Sequence, residues 1–284
     1  MLDTLTRTAR SSAARLVRLP ADLVHQRRVA EHRRSLAPLS RADQALLDSL
    51  ESEGCAGTSI DALGLASSAA MITEANHQLE LMEQILPRRG LTHRALTPPQ
   101  IFTCTDLPAF QAFGRERRLL DIAEHYIGAP VTYQGVHLRR DFANDEPVTT
   151  ELWHKDLEDR RMVKVIVYLN EVTDEVGPFE YARKSAMSPA TTARVHWMTA
   201  KNQSMGVNDE QMAVIVPKSE WRQCVGPAGS VVIMDPVSMF HHGRPRTKDR
   251  TAAFFVYTAS DPLRPELTHQ YRDDTFTRPA PADA

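Results

Sequence analysis

Four side chains in this 284-residue chain could do metal chemistry together: His154, Asp156, His241 and Arg250. Two imidazoles and one carboxylate can hold one face of a ferrous ion and leave the opposite face open. An arginine just beyond the last histidine offers a planar fork that can bind the far carboxylate of a keto-acid co-substrate. The chain has eleven histidines, so a His-x-Asp pair arises by chance roughly 0.7 times at this composition. The surroundings of the pair must therefore carry the argument.

Those surroundings are short strands after a helical preamble. Leu46, Leu47 and Leu50 recur at helical spacing behind Ser40, a candidate N-cap. A short strand is expected over 54–60, a helix over 66–86, a loop at Pro98-Pro99, and one continuous helix over 107–127 closed by Gly128. Strands are then expected over 131–138, 152–156, 162–169, 177–181, 229–234 and 251–257. Residues i and i+2 of a strand share a face, so a strand at 152–156 would aim His154 and Asp156 at one ion. The third ligand must come from another strand, and His241 and His242 follow the one at 229–234. The pattern predicts a mainly β antiparallel sandwich or barrel with flanking helices.

Composition sets the outer limits. The chain is 42% hydrophobic and 25% charged, and its net charge of -2 gives no reason to expect a polyanion partner. Aromatics are 6% and do not interleave with basic residues, so no nucleic-acid surface is expected. No apolar run is long enough for a membrane span. Cys55, Cys104 and Cys224 form no paired motif, which suits a reducing, cytoplasmic setting. Residues 1–40 are rich in arginine and read as a basic helical extension, with a face that could pack on a second subunit as a homodimer. Residues 41–284 read as the main domain, with a helical lead-in over 41–128 and an insertion over 188–222.

Residues 153–181 read WHKDLEDRRMVKVIVYLNEVTDEVGPFEY, and residues 240–250 read FHHGRPRTKDR. Together with the helix-Gly-x-Pro-Val lead-in at 127–131, they resemble the phytanoyl-CoA dioxygenase-like family of Fe(II)/2-oxoglutarate-dependent oxygenases, over about residues 45–260. The resemblance implies a double-stranded β-helix (jelly-roll, cupin-like) core. It implies Fe(II) as cofactor, with 2-oxoglutarate and O2 as co-substrates. His154, Asp156 and His241 match the three iron ligands, and Arg250 matches the arginine that pairs with the co-substrate's distal carboxylate. His241 is preferred over His242 because the family's ligand stands two residues before the glycine, here Gly243. Gln134 matches a glutamine on the first core strand that can touch the co-substrate. Lys164 lies in a β-branched run, and it could assist carboxylate binding if its face is the barrel interior. The family's small-residue turn is replaced here by Ala182-Arg183-Lys184-Ser185-Ala186, which adds two positive charges.

The implied reaction couples decarboxylation of 2-oxoglutarate to succinate with hydroxylation, desaturation or ring closure at an unactivated C–H bond of a small molecule, as in specialised metabolism. Asp156 argues against halogenation, because related halogenases carry a small residue there. Two other readings use the same fold: a cupin-like metalloenzyme that needs no keto acid, and a non-catalytic binding protein. The 188–222 insertion, the N-terminal helices, and Arg139, Tyr181 and Trp197 are the expected substrate-facing parts.

Overall fold

The computed structural model describes residues 23–85, 98–144 and 151–279. The arginines at positions 7 to 18, His93 and the tail beyond Pro279 lie outside the described residues. The helices are α1 (23–35), α2 (Arg41–Glu53), α3 (Ile60–Leu63), α4 (Ser68–Ile85), α5 (Pro108–Gly114), α6 (Arg117–Ile127), α7 (Pro189–Asn202) and α8 (Asp209–Ala213). The strands are β1 (Cys55–Ser59), β2 (Gln100–Thr103), β3 (Val131–Asp141), β4 (Val163–Tyr168), β5 (Phe179–Ala182), β6 (Trp221–Cys224), β7 (Ser230–Met234), β8 (His241–Gly243) and β9 (Arg250–Ala259). They form a six-stranded sheet of order β1-β7-β4-β9-β3-β2 and a three-stranded sheet of order β6-β5-β8. All named strand pairs are antiparallel. This is the double-stranded β-helix with flanking helices.

Side-chain alternation divides the large sheet into two faces. On β4, Val163, Val165 and Val167 join Ile233 of β7 and Phe255 and Tyr257 of β9 in one buried cluster. The helices cover that face, with Met71 and Met82 of α4, Phe110 and Phe113 of α5, and Ile122 and Tyr126 of α6. Phe113 and Phe255 bring their ring centroids to 4.7 Å. On the opposite face Ile166, Tyr168, Val232 and Met234 turn inward to meet Phe179 and Tyr181 of the small sheet. Lys164 pairs with Met234 and Val256 in register, so the same alternation sends it inward as well.

Two expectations change. The single helix over 107–127 is two, α5 and α6. Gly114 lies against the Tyr133 ring, where a Cβ would sit 2.3 Å from ring carbon. Just beyond it, Glu116 leaves helical geometry and accepts bonds from Ser67 N and Oγ at 3.0 and 2.6 Å. The tertiary contacts thus override a helical period that runs through the break. The expected strand over 152–156 is reduced to isolated bridges, Trp153 with Val207 and His154 with His241. Asp156 N then donates to Pro236 O at 3.1 Å. The segment changes partner at successive steps, so no ladder can propagate. Strands β2, β6 and β8 were not expected at all. Ser40 does cap α2, accepting from Asp43 N at 3.1 Å.

Candidate metal centre

His154 Nε2 and His241 Nε2 lie 3.8 and 3.9 Å from Asp156 Oδ1. One donor atom from each of the three residues falls within 4.8 Å of the others. The tautomers suit ligation. His154 Nδ1 faces Leu152 O at 2.7 Å, and His241 Nδ1 faces Met239 O at 3.4 Å. A carbonyl only accepts, so each Nδ1 carries the proton and each Nε2 keeps its lone pair toward Asp156. Burial pushes the His241 imidazole down to about 3 and lowers that of His154. Both rings are therefore neutral at neutral pH. Burial raises the Asp156 carboxyl, but the Lys164 ammonium bonded to it outweighs burial and holds it well below the usual range. The donor set is two neutral imidazoles and a carboxylate, which suits a divalent transition metal.

Adjacent residues of a strand point to opposite sides, and this separates the histidine doublet. His242 Nε2 lies 2.9 Å from Glu180 Oε2, and its Nδ1 lies 2.9 Å from Glu151 O. Its ring stacks on Trp153 with centroids 4.0 Å apart. Both of its nitrogens are engaged away from the triad.

A cavity of about 90 Å³ opens on the triad and is lined as well by Lys164, Arg139 and Arg250. Ile166, Tyr168, Phe179, Met234 and Phe254 form its apolar wall. Arg250 is buried at the start of β9, with Nη2 3.0 Å from Asp141 Oδ2 and Nη1 donating to Gly177 O at 2.5 Å. Arg139 also binds Asp141, at 2.7 Å, and its guanidinium stands 5.2 Å from the Phe254 ring centre. Arg246 reaches Glu151 at 2.7 Å. Three guanidiniums thus converge on two carboxylates beside the cavity. A Cβ at Gly243 would sit 2.9 Å from Arg250 Nη2 and 3.0 Å from Arg246 Nη2, so a larger residue there would push these guanidiniums aside.

The other sequence candidates fall in different places. Lys164 Nζ bonds Asp156 Oδ2 inside the barrel. Gln134 is outside the cavity. It donates to Thr258 Oγ1 at 2.7 Å and accepts from Arg272 at 2.9 Å, beside the bulge between Tyr133 and Gly135. Tyr181 belongs to the neighbouring apolar cluster. Trp197 is 62% exposed on α7 and does not line the cavity. The two extra charges of the 182–186 turn face α2: Arg183 grips Glu53 through bonds of 2.7 and 2.6 Å, and Lys184 donates to Glu51 O at 3.0 Å. Asp141 as the partner of Arg250, and Tyr271, whose hydroxyl donates to Glu158 at 3.0 Å, were missed. Asp141 carried a signal, as an acid two residues from Arg139. Tyr271 lies beyond the last strand in a short 3-10 turn and carried none.

No family model matches the chain, and no curated protein matches it either. Solved structures do. HygX from Streptomyces hygroscopicus, with nickel and 2-oxoglutarate bound, superposes with a TM-score of 0.51 at 16% identity, covering 78% of this chain and 88% of that one. AviO1 from Streptomyces viridochromogenes Tue57 gives 0.51 at 16%, covering 80% and 98%. EctD from S. alaskensis, with 2-oxoglutarate and 5-hydroxyectoine, gives 0.51 at 19%, covering 87% of each chain. The chain shares with these three proteins the double-stranded β-helix fold on which its His-Asp-His cluster is built.

Proposed function

We propose that this protein is a non-haem Fe(II)/2-oxoglutarate-dependent oxygenase that hydroxylates, desaturates or cyclises a small molecule at an unactivated C–H bond. One observation carries the reading: a single cavity is lined by the His154–Asp156–His241 triad and by Arg250. Structures of the same fold with 2-oxoglutarate bound add support. Bound iron, with the keto acid and dioxygen, would supply the oxidising power. The chain's own residues do the rest. The two Nε2 atoms and Asp156 Oδ1 hold one side of the ion. Arg250, aligned by Asp141 and Gly177 O, presents its remaining N–H groups to the far carboxylate. The apolar wall excludes water and holds the target bond near the oxidant. Asp156 fills the position that halogenation would need open. A cytoplasmic location fits the three free thiols, and no described helix is long and apolar enough to cross a membrane.

A metalloenzyme that needs no keto acid is the second reading. It is favoured by the engagement of Arg250 with Asp141 and Gly177. A succinate-release screen across substrate classes separates the two. Substrate-coupled succinate that disappears in His154→Ala and Arg250→Ala supports the first. Turnover that survives Arg250→Ala supports the second.

A further inference from the structure

Lys164 is in an unusual place for a lysine. It is the second residue of β4, flanked by Val163 and Val165, and its side chain is 17% exposed inside the barrel. A buried ammonium is costly unless paired. Its partner is a proposed metal ligand: Nζ bonds Asp156 Oδ2. Glu158, whose own carboxylate takes the Tyr271 hydroxyl, lies 4.0 Å from the same nitrogen. The two oxygens of Asp156 therefore have separate tasks. Oδ2 is occupied by Lys164, and Oδ1 faces the two histidines at 3.8 and 3.9 Å.

We infer that Lys164 is a positioning residue that holds Asp156 to ligation through one oxygen and lowers the site's affinity for divalent cations. The inference rests on the metal-site reading above and gives Lys164 a role other than gripping the co-substrate. A carboxylate free to rotate can bind a metal through both oxygens and take up a further coordination position. Capped by Lys164, Asp156 offers one, which leaves more of the ion's surface for other ligands. The charge argument runs in the same direction. Asp156 and Lys164 together sum to zero, so the entering dication meets a triad with no net charge. Without the ammonium the triad carries one negative charge; Glu158, 4.0 Å from Lys164 Nζ, adds its charge in both cases, so the difference is one unit.

The consequence has a sign that simple structural damage cannot produce. Lys164→Met keeps the length and apolar stem of the side chain and removes the charge. Mn(II) titration of the anaerobic full-length protein, followed by electron paramagnetic resonance, should show at least about tenfold tighter binding in this variant, because a unit charge a few ångströms away is worth that much at a partly buried site. Lys164→Arg should stay close to wild type. Misfolding or loosened packing can only weaken Mn(II) binding. Unchanged or weaker Mn(II) binding in Lys164→Met, with loss of 2-oxoglutarate affinity instead, would overturn the inference in favour of a co-substrate contact. Wild-type protein that binds no Mn(II), or binds it equally well as His154→Ala, would overturn the metal-site reading itself.

Discussion

The backbones of His154 and His241 bind each other reciprocally: each amide donates to the other's carbonyl at 3.0 Å. This isolated antiparallel bridge joins the loop after β3 to strand β8 at the residues that supply the two imidazoles. Their ring centroids stand 4.4 Å apart. The two proposed ligands, far apart in sequence, are thus fixed by main-chain bonds, and their spacing does not depend on side-chain packing alone.

That arrangement makes the two histidines of the doublet unequal. His241→Gln should lower divalent-metal affinity at least about 100-fold, more than outer-shell partners usually cost. His242→Gln should change it less than about tenfold, since Glu180 and Glu151 O hold that ring away from the triad. Calorimetric titration with Mn(II) checks both. Equal losses would mean that the turn places His242 on the metal.

Arg250→Ala should leave metal binding within a few-fold and weaken 2-oxoglutarate binding by at least about tenfold, the usual scale of a lost charge-assisted bidentate contact. Co-substrate binding is read from quenching or calorimetry on the metal-loaded, anaerobic protein. Loss of metal binding as well would indicate that the variant had disrupted the site's frame.

Asp141 is 1% exposed and faces Arg139, Arg250 and Arg246. Burial raises its carboxyl, but the three guanidiniums together hold it far below the usual range. Asp141→Asn should therefore destabilise the fold by about 3–5 kcal/mol, the scale for breaking a buried ion pair. Urea unfolding of the metal-free protein measures it. A loss under about 1 kcal/mol would contradict a buried, charge-paired Asp141.

Two buried histidines predict how the metal-free protein responds to acid. Burial pushes His241 down to about 3 and His137 to about 4, from an ordinary 6.5. Below pH 6.5 the unfolded chain takes up protons at these positions while the folded chain does not. Their contribution is therefore complete above pH 6.5 and is lost as pH falls through 4 toward 3. The melting temperature should drop across that window, and His137→Gln should flatten part of the slope. A melting temperature constant from pH 7 to 4 would contradict their burial as neutral rings.

The sequence was most legible where period and chemistry coincided. The run at 162–169 is β-branched and apolar except for Lys164, as a strand buried on both faces reads, and β4 forms there with Lys164 on the inner face. The convergence of His154, Asp156 and His241 was anticipated from the motifs around them, since the His-x-Asp pair alone is near chance level. What stayed hidden depended on contacts between distant segments. The gap between α5 and α6 is set by Tyr133 and Ser67, which no local pattern near Gly114 reveals. Strand β8 is only three residues long and exists because β5 and His154 pair with it. Gln134 sat in the right strand but at a bulge, where the register shift carries it away from the cavity. The sequence left the face of Lys164 open, and both its inward orientation and its partner Asp156 emerge only with the strands in register.

The central claim is that the triad and Arg250 together hold iron and 2-oxoglutarate in one site. Anaerobic titration of the metal-free protein with Fe(II) and 2-oxoglutarate tests it most directly through the weak visible charge-transfer band of the chelate. The expected band saturates near one equivalent of each, is absent in Asp156→Ala, and is absent or strongly weakened in Arg250→Ala. Protein that binds Fe(II) at the triad yet gives no band at saturating 2-oxoglutarate would contradict the claim.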